Sequence, residues 1–169
     1  DELNHRVKNT LATVQSIALQ IRRTADAGSF EQAFLARIEA LAQAHDLLTE
    51  VAWEGASLKD VIARTLAPYV AEGQRSRVEL SGPNVRLSPN AAVSLTMAFH
   101  ELATNAVKYG ALSAPEGRVR IRWTSEADCI RLNWLERGGP RVTPPSRRGF
   151  GSRLLQDLLA RDVGGAAKL

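Results

Sequence analysis

The sequence has one cysteine, Cys129, and no proline before Pro68. A lone thiol excludes an intrachain disulfide framework and a cysteine-based zinc site, so a reducing cytoplasmic compartment fits best and Cys129 is read as a packing residue. Long apolar runs are missing too: no uninterrupted stretch approaches the roughly 18–20 residues of a membrane span. The first residues, Asp-Glu-Leu-Asn, are polar, where a signal peptide would show a basic and then an apolar stretch. No membrane contact is expected. Aromatics are scarce at 5%, which leaves little to stack on bases. The charge excess is small, 22 Lys+Arg against 18 Asp+Glu for a formal +4. The basic residues are scattered along the chain, with Arg118, Arg120 and Arg122 the densest group. They are read as a solvated face, and no nucleic-acid partner is expected. What the chain does have is 44% apolar residues in 169, enough to build the core of one domain or two small ones and too many for a disordered tail.

The texture changes partway along. Residues 1–50 hold no proline and one glycine, Gly28, while all seven prolines follow, so a boundary is placed near 51–56, giving domains 1–54 and 55–169. In the first, Leu3, Val7, Leu11, Val14, Ala18 and Ile21 recur at three- and four-residue steps, as do Phe34, Ile38, Leu41, His45 and Leu48. Two amphipathic helices joined at Asp26-Ala27-Gly28-Ser29 make an antiparallel hairpin. Its apolar stripes call for a second copy, forming a four-helix bundle, or for a sensor region outside this chain. His45 falls within the stripe and is read as a core histidine. The second domain alternates helices and strands. Ser57 and Asp60 start a helix to about Tyr69, Arg77–Leu80 and Val85–Leu87 are short strands about the turn Ser81-Gly82-Pro83-Asn84, and a long helix runs from Ser88-Pro89 to Tyr109. Val119, Ile121 and Trp123 mark a half-buried strand, Ile130, Leu132 and Trp134 its partner, and Ser152 to about Arg161 a last helix. The final Ala167-Lys168-Leu169 resembles the start of another strand, so the chain is expected to be a fragment.

Four segments carry chemistry. Against the stripe of the first helix, His5 points about 170° away at ~100° per residue, so it faces outward with Asn9 beside it and the small Ala12 and Ser16 beyond. An accessible imidazole with one neutral nitrogen is a nucleophile fit for phosphoryl transfer, although an ordinary surface histidine would show the same pattern. In His100-Glu101-Leu102-Ala103-Thr104-Asn105-Ala106-Val107-Lys108-Tyr109, the side chains of Glu101, Asn105 and Lys108 share a face, with Leu95, Ala98, Phe99, Leu102 and Ala106 on the packed side. An acid, an amide and a cation together suit a magnesium nucleotide; a solvated helix face is the alternative. In Trp134-Leu135-Glu136-Arg137-Gly138-Gly139-Pro140, strand alternation aims Glu136 at the apolar face, where a carboxylate needs a donor such as an adenine amino group. Gly138 and Gly139 would let backbone approach a base, and a surface salt bridge is the alternative. Last, Arg147-Arg148-Gly149-Phe150-Gly151-Ser152 places glycines and charge before a helix N-terminus, an arrangement that suits an anion.

Taken in order, these segments resemble a bacterial sensor histidine kinase of the HWE subfamily. Glu2 to Leu11 is similar to its H-box, His100 to Gly110 to its N-box, Trp134-Leu135-Glu136 to its Trp-x-Glu signature and Gly149-Phe150-Gly151 to its second glycine box. The resemblance implies an α+β chain, a dimerization and phosphotransfer hairpin followed by an α/β sandwich ATP-binding domain of the Bergerat (GHKL) type. It implies His5 as phosphoacceptor, Asn105 as magnesium ligand supported by Glu101, Lys108 on phosphate, Glu136 reading adenine, and Tyr109 and Trp134 lining the nucleotide. His100 belongs to the site without a defined role. Cofactors are then ATP and Mg2+, and partners a response regulator receiver domain, a sensor domain and a second protomer. The sequence departs from the wider pattern in three places. Glu136 replaces an aspartate, Pro140 stands where a glycine is usual, and Arg6 follows His5 where an acid is common. Glu2, one turn before His5 and about 60° from it at ~100° per residue, is the candidate base. Only eight residues separate Pro140 from Gly149, so Arg147 and Arg148 are expected to cover the triphosphate in place of a long lid. A GHKL-type ATPase or serine kinase, and a non-catalytic scaffold that binds a response regulator, are the rival readings.

Overall fold

A computed structural model describes residues 56–70, 77–126 and 129–141, with helical positions at 14, 15, 18, 30, 31, 34, 35, 38, 39, 41 and 42. At those isolated positions the expected periodicity holds. Val14, Ala18, Phe34 and Ile38 are half-buried, Leu41 is buried, and Gln15, Glu31 and Glu39 are exposed. Phe30 and Phe34, one turn apart, stack with ring centroids 5.8 Å apart. The joining turn, His45, the 51–55 boundary and the last helix lie outside the described residues.

The second part builds from its caps. Ser57 closes strand β1 (Ala56–Ser57) and caps helix α1 (Leu58–Leu66), its Oγ accepting from the Asp60 N–H at 3.4 Å. A 3-10 turn over Ala67–Tyr69 follows, with Pro68 in its first turn where no N–H is needed. Strands β2 (Val78–Ser81) and β3 (Arg86–Leu87) come next. Helix α2 (Pro89–Lys108) starts at the Ser88 cap, whose Oγ accepts from Ala91 N–H at 3.3 Å. After a second 3-10 turn, Ala111–Ser113, the chain forms β4 (Arg118–Glu126) and β5 (Cys129–Arg137).

The two short strands flanking the Ser81–Asn84 turn do not pair with each other. β3 runs antiparallel to β1, while β2 runs parallel to β4, which runs antiparallel to β5. Arg77 and Val85, expected in strands, fall just outside them. The inner face of the larger sheet, Val119, Ile121 and Trp123 of β4 with Leu132 and Trp134 of β5, packs under α1 and α2. Leu58, Val61, Ile62 and Leu66 from α1 and Ala92, Phe99, Ala103 and Ala106 from α2 complete this core. The outcome is a helix layer on a mixed sheet. Cys129 is a correction: it is exposed near the end of the β4–β5 hairpin, its Sγ donating to Glu126 Oε2 at 3.7 Å, and takes no part in the core. No helix among the described residues is long and apolar enough to cross a membrane.

Candidate nucleotide site

The site forms where α2 ends and β5 ends. Alternation along β5 turns Leu132, Trp134 and Glu136 inward and leaves Asn133, Leu135 and Arg137 exposed. Glu136 is thus half-buried, as its position in the strand predicts, and its carboxylate has two donors. Oε2 accepts the Ala111 backbone N–H at 2.7 Å, and Oε1 accepts the Trp134 indole N–H at 2.9 Å. The need for a donor is therefore met within the chain. An ionised carboxylate offers about four acceptor positions, so two stay open to a ligand amine.

Three features make this clamp possible. Gly110 has no side chain, and a Cβ there would lie 2.0 Å from Glu136 Oε2, so only glycine lets the carboxylate reach the amide beyond it. Gly138 turns with φ +73°, a conformation glycine adopts without strain, and brings Gly139 against the backbone of Gly110 and Ala111. Both glycines thus have a packing reason of their own, independent of any base. Arg77 secures the loop from below. Its Nε donates to the Gly117 carbonyl at 2.8 Å, and its Nη2 to the carbonyls of Ala111 at 3.3 Å, Leu112 at 3.4 Å and Ala114. Trp134 itself packs toward the core, its ring 6.5 Å from that of Phe99.

The shared face of α2 needs correction. Asn105 and Lys108 are exposed, but Glu101 is buried at 8% exposure. All three point in similar directions around the axis; they differ in height along it, and the 3-10 turn after α1 covers the helix near His100 and Thr104. Tyr69 lies in that cover, its ring edge-on to His100 at 5.6 Å and its hydroxyl oxygen accepting from Thr104 Oγ1 at 3.3 Å. Burial raises the Tyr69 phenol above its ordinary range, the Thr104 hydrogen bond opposes this, and the charges of Glu101 and Glu39 add to it. The packed side of α2 is also wider than expected, with Ser94, Thr96 and Met97 buried and Leu95 and Leu102 only half-buried. Tyr109 is 66% exposed at the helix end.

Among the described residues no group of three or more His, Cys, Asp or Glu converges on a metal position. A cation here would take the exposed Asn105 amide oxygen, the Glu101 carboxylate one turn before it being buried, with its other ligands from phosphate and water. That donor set suits Mg2+, which keeps several waters and binds few carboxylates. Glu2, His5, Asn9, Arg147, Arg148, Gly149, Phe150 and Gly151 lie outside the described residues. Sequence reasoning missed Arg77, taken for a strand residue, and the Ala111 amide. Gly110 directly after the helix is the visible signal.

The model of the HWE histidine kinase family matches residues 2–84. Blue-light-activated histidine kinases of Brucella ovis and Brucella anthropi are 44% and 41% identical over 167 residues. Each alignment covers 96% of this chain and 34% of the relative, so the chain spans about a third of the curated relatives it matches. Among solved structures, the Erythrobacter litoralis EL346 blue-light activated histidine kinase matches with a TM-score of 0.58 at 22% identity, over 94% of this chain and 54% of that one. The histidine kinase domain of the same protein gives 0.57 at 15% identity, over 90% and 83%. These last two show a common fold.

Proposed function

Because the chain belongs to the HWE histidine kinase family, we propose that it is the kinase core of a cytoplasmic sensor protein, binding ATP in a Bergerat-type domain and phosphorylating its own His5. The observation that carries the reading is the Glu136–Ala111 hydrogen bond, which joins the Trp-x-Glu strand to the residues just after Asn105 and Lys108. Two motifs 25 residues apart in sequence thus meet at one place.

In this reading the open lone pairs of Glu136 accept the adenine amino group, Lys108 meets phosphate, and Arg147 and Arg148 close over the triphosphate. Asn105 would hold Mg2+ with Glu101 in support, and the ion would supply charge neutralisation on the phosphates. The neutral imidazole nitrogen of His5 attacks the γ-phosphorus, a nitrogen–phosphorus bond forms, the bond to the β-phosphate oxygen breaks, and ADP leaves. Glu2 accepts the imidazole proton. The phosphoryl group then passes to an aspartate carboxylate of a receiver domain docked along Asn9, Ala12 and Ser16. Catalysis is mainly positioning and charge stabilisation, so bringing His5 to the nucleotide is the step open to control.

Incubation with γ-labelled ATP and Mg2+ tests this, comparing the wild type with His5→Ala and treating the product with acid and alkali. Acid-labile, alkali-stable label that disappears in the variant is the expected result. Label that persists in His5→Ala removes His5 from the mechanism and favours a serine kinase on the same fold.

A further inference from the structure

Arginines that look scattered in the sequence are gathered by the sheet. On β4, Arg118, Arg120 and Arg122 alternate with the buried Val119, Ile121 and Trp123, and so share the face turned away from the helices. Register sets Arg137 of β5 directly opposite Arg118 and Arg131 opposite Thr124, extending that face. Among the described residues two acids answer these five cations. Glu79 receives Arg120 Nε at 2.6 Å and Glu126 receives Arg131 Nε at 3.2 Å. Arg118, Arg122 and Arg137 form no ion pair among the described residues. Like charges directly opposite on neighbouring strands are destabilising, so the Arg118–Arg137 pair costs the fold some stability. The face already favours carboxylates. Glu79 lies below the usual carboxylate range through its hydrogen bond from Arg120 and that residue's charge, with Arg118 and Arg122 adding to the effect.

The composition of the face narrows the partner. Trp123 and Trp134 both turn inward, and β2, β4 and β5 hold no other aromatic, so this face has no platform for stacking bases. Leu135, 38% exposed, sits opposite Arg120 with Arg137 two residues along the strand. An apolar side chain ringed by arginines is the composition of a protein interface, where arginine is enriched and lysine depleted. Spacing adds a shape. Outward residues on a strand repeat about every 6.7 Å, so Arg118 to Arg122 spans about 13 Å. A helix with acids at four-residue steps repeats about every 6 Å and matches three such positions over about 12 Å.

We propose that the outer sheet face docks an acidic helix of a partner protein, its row of Asp or Glu side chains lying along β4 and an apolar side chain meeting Leu135. This interaction is separate from nucleotide binding and does not depend on the phosphotransfer reading. The test measures fluorescence anisotropy of a labelled alanine-based helical peptide with Glu at four-residue steps, added to the 169-residue chain at two salt concentrations. Binding should weaken with salt and fall at least about tenfold in the triple variant Arg118→Gln, Arg122→Gln, Arg137→Gln. The triple variant should melt at the wild-type temperature or above it, since a like-charge pair is removed, and Arg122→Glu alone should weaken binding in the same direction. Wild-type affinity in these folded variants would overturn the proposal. So would equal binding of a peptide with the same glutamates scrambled, or tighter arginine-dependent binding of a short DNA duplex or of phosphatidylserine vesicles.

Discussion

Trp134 and Glu136 stand two residues apart on the same face of β5, and the indole N–H of the first donates to the carboxylate of the second at 2.9 Å. The tryptophan of the Trp-x-Glu signature therefore holds the glutamate in place. Trp134→Phe keeps an aromatic ring beside Phe99 and removes only this donor. Loss of a hydrogen bond to a charged group costs about 1.5–3 kcal/mol, and a share of roughly 1.4 kcal/mol falling on the site weakens binding tenfold. Calorimetric titration with ATP should show that loss, with the helical signal unchanged.

Gly110→Ala tests the other half of the clamp. Its Cβ would meet Glu136 Oε2 at 2.0 Å, so the carboxylate must leave the Ala111 N–H. An amide left without its acceptor costs about 1–3 kcal/mol, and the thermal midpoint should drop together with ATP affinity. Tyr109→Ala, one residue earlier at an exposed position, should stay within about 0.5 kcal/mol of wild-type stability.

The parts of this fold legible in the sequence are those set by neighbours in the chain. Ser57 and Ser88 announce their helices, Gly110 ends the second, and strict alternation gives β4, β5 and the inward turn of Glu136. What stayed hidden depends on distant partners. The two-residue β1 and the separate pairings of β2 and β3 have no local signal. Periodicity gives a direction around α2 but no height along it, so the burial of Glu101 near Tyr69 was invisible. Arg77 binds carbonyls 34 to 40 residues ahead, which no sequence window could join.

That long reach makes Arg77 the next test. Arg77→Ala strips a part-buried donor from the carbonyls of Ala111, Leu112, Ala114 and Gly117. A destabilisation of about 2–4 kcal/mol is expected, seen as a lower denaturant midpoint with an unchanged slope. Arg77→Lys keeps the charge but not the planar fork, so it should recover only part of the loss. Full recovery would mean that charge alone supports the loop.

Tyr69 gives a pH prediction with a definite sign. Its phenol is raised in the folded chain, first by burial, while the unfolded chain ionises near the ordinary value of about 10. Below about pH 10 both states keep the proton, and the contribution of the buried phenol is fully present. As pH rises past that value and through the raised folded one, the unfolded state loses its proton first and stability falls. Tyr69→Phe has no proton to lose at this position. Denaturation midpoints measured from neutral pH upward should therefore fall more steeply for the wild type than for Tyr69→Phe once pH exceeds about 10. Parallel curves would show that the phenol ionises equally in both states, and that the packing of Tyr69 against His100 and Thr104 does not shield it.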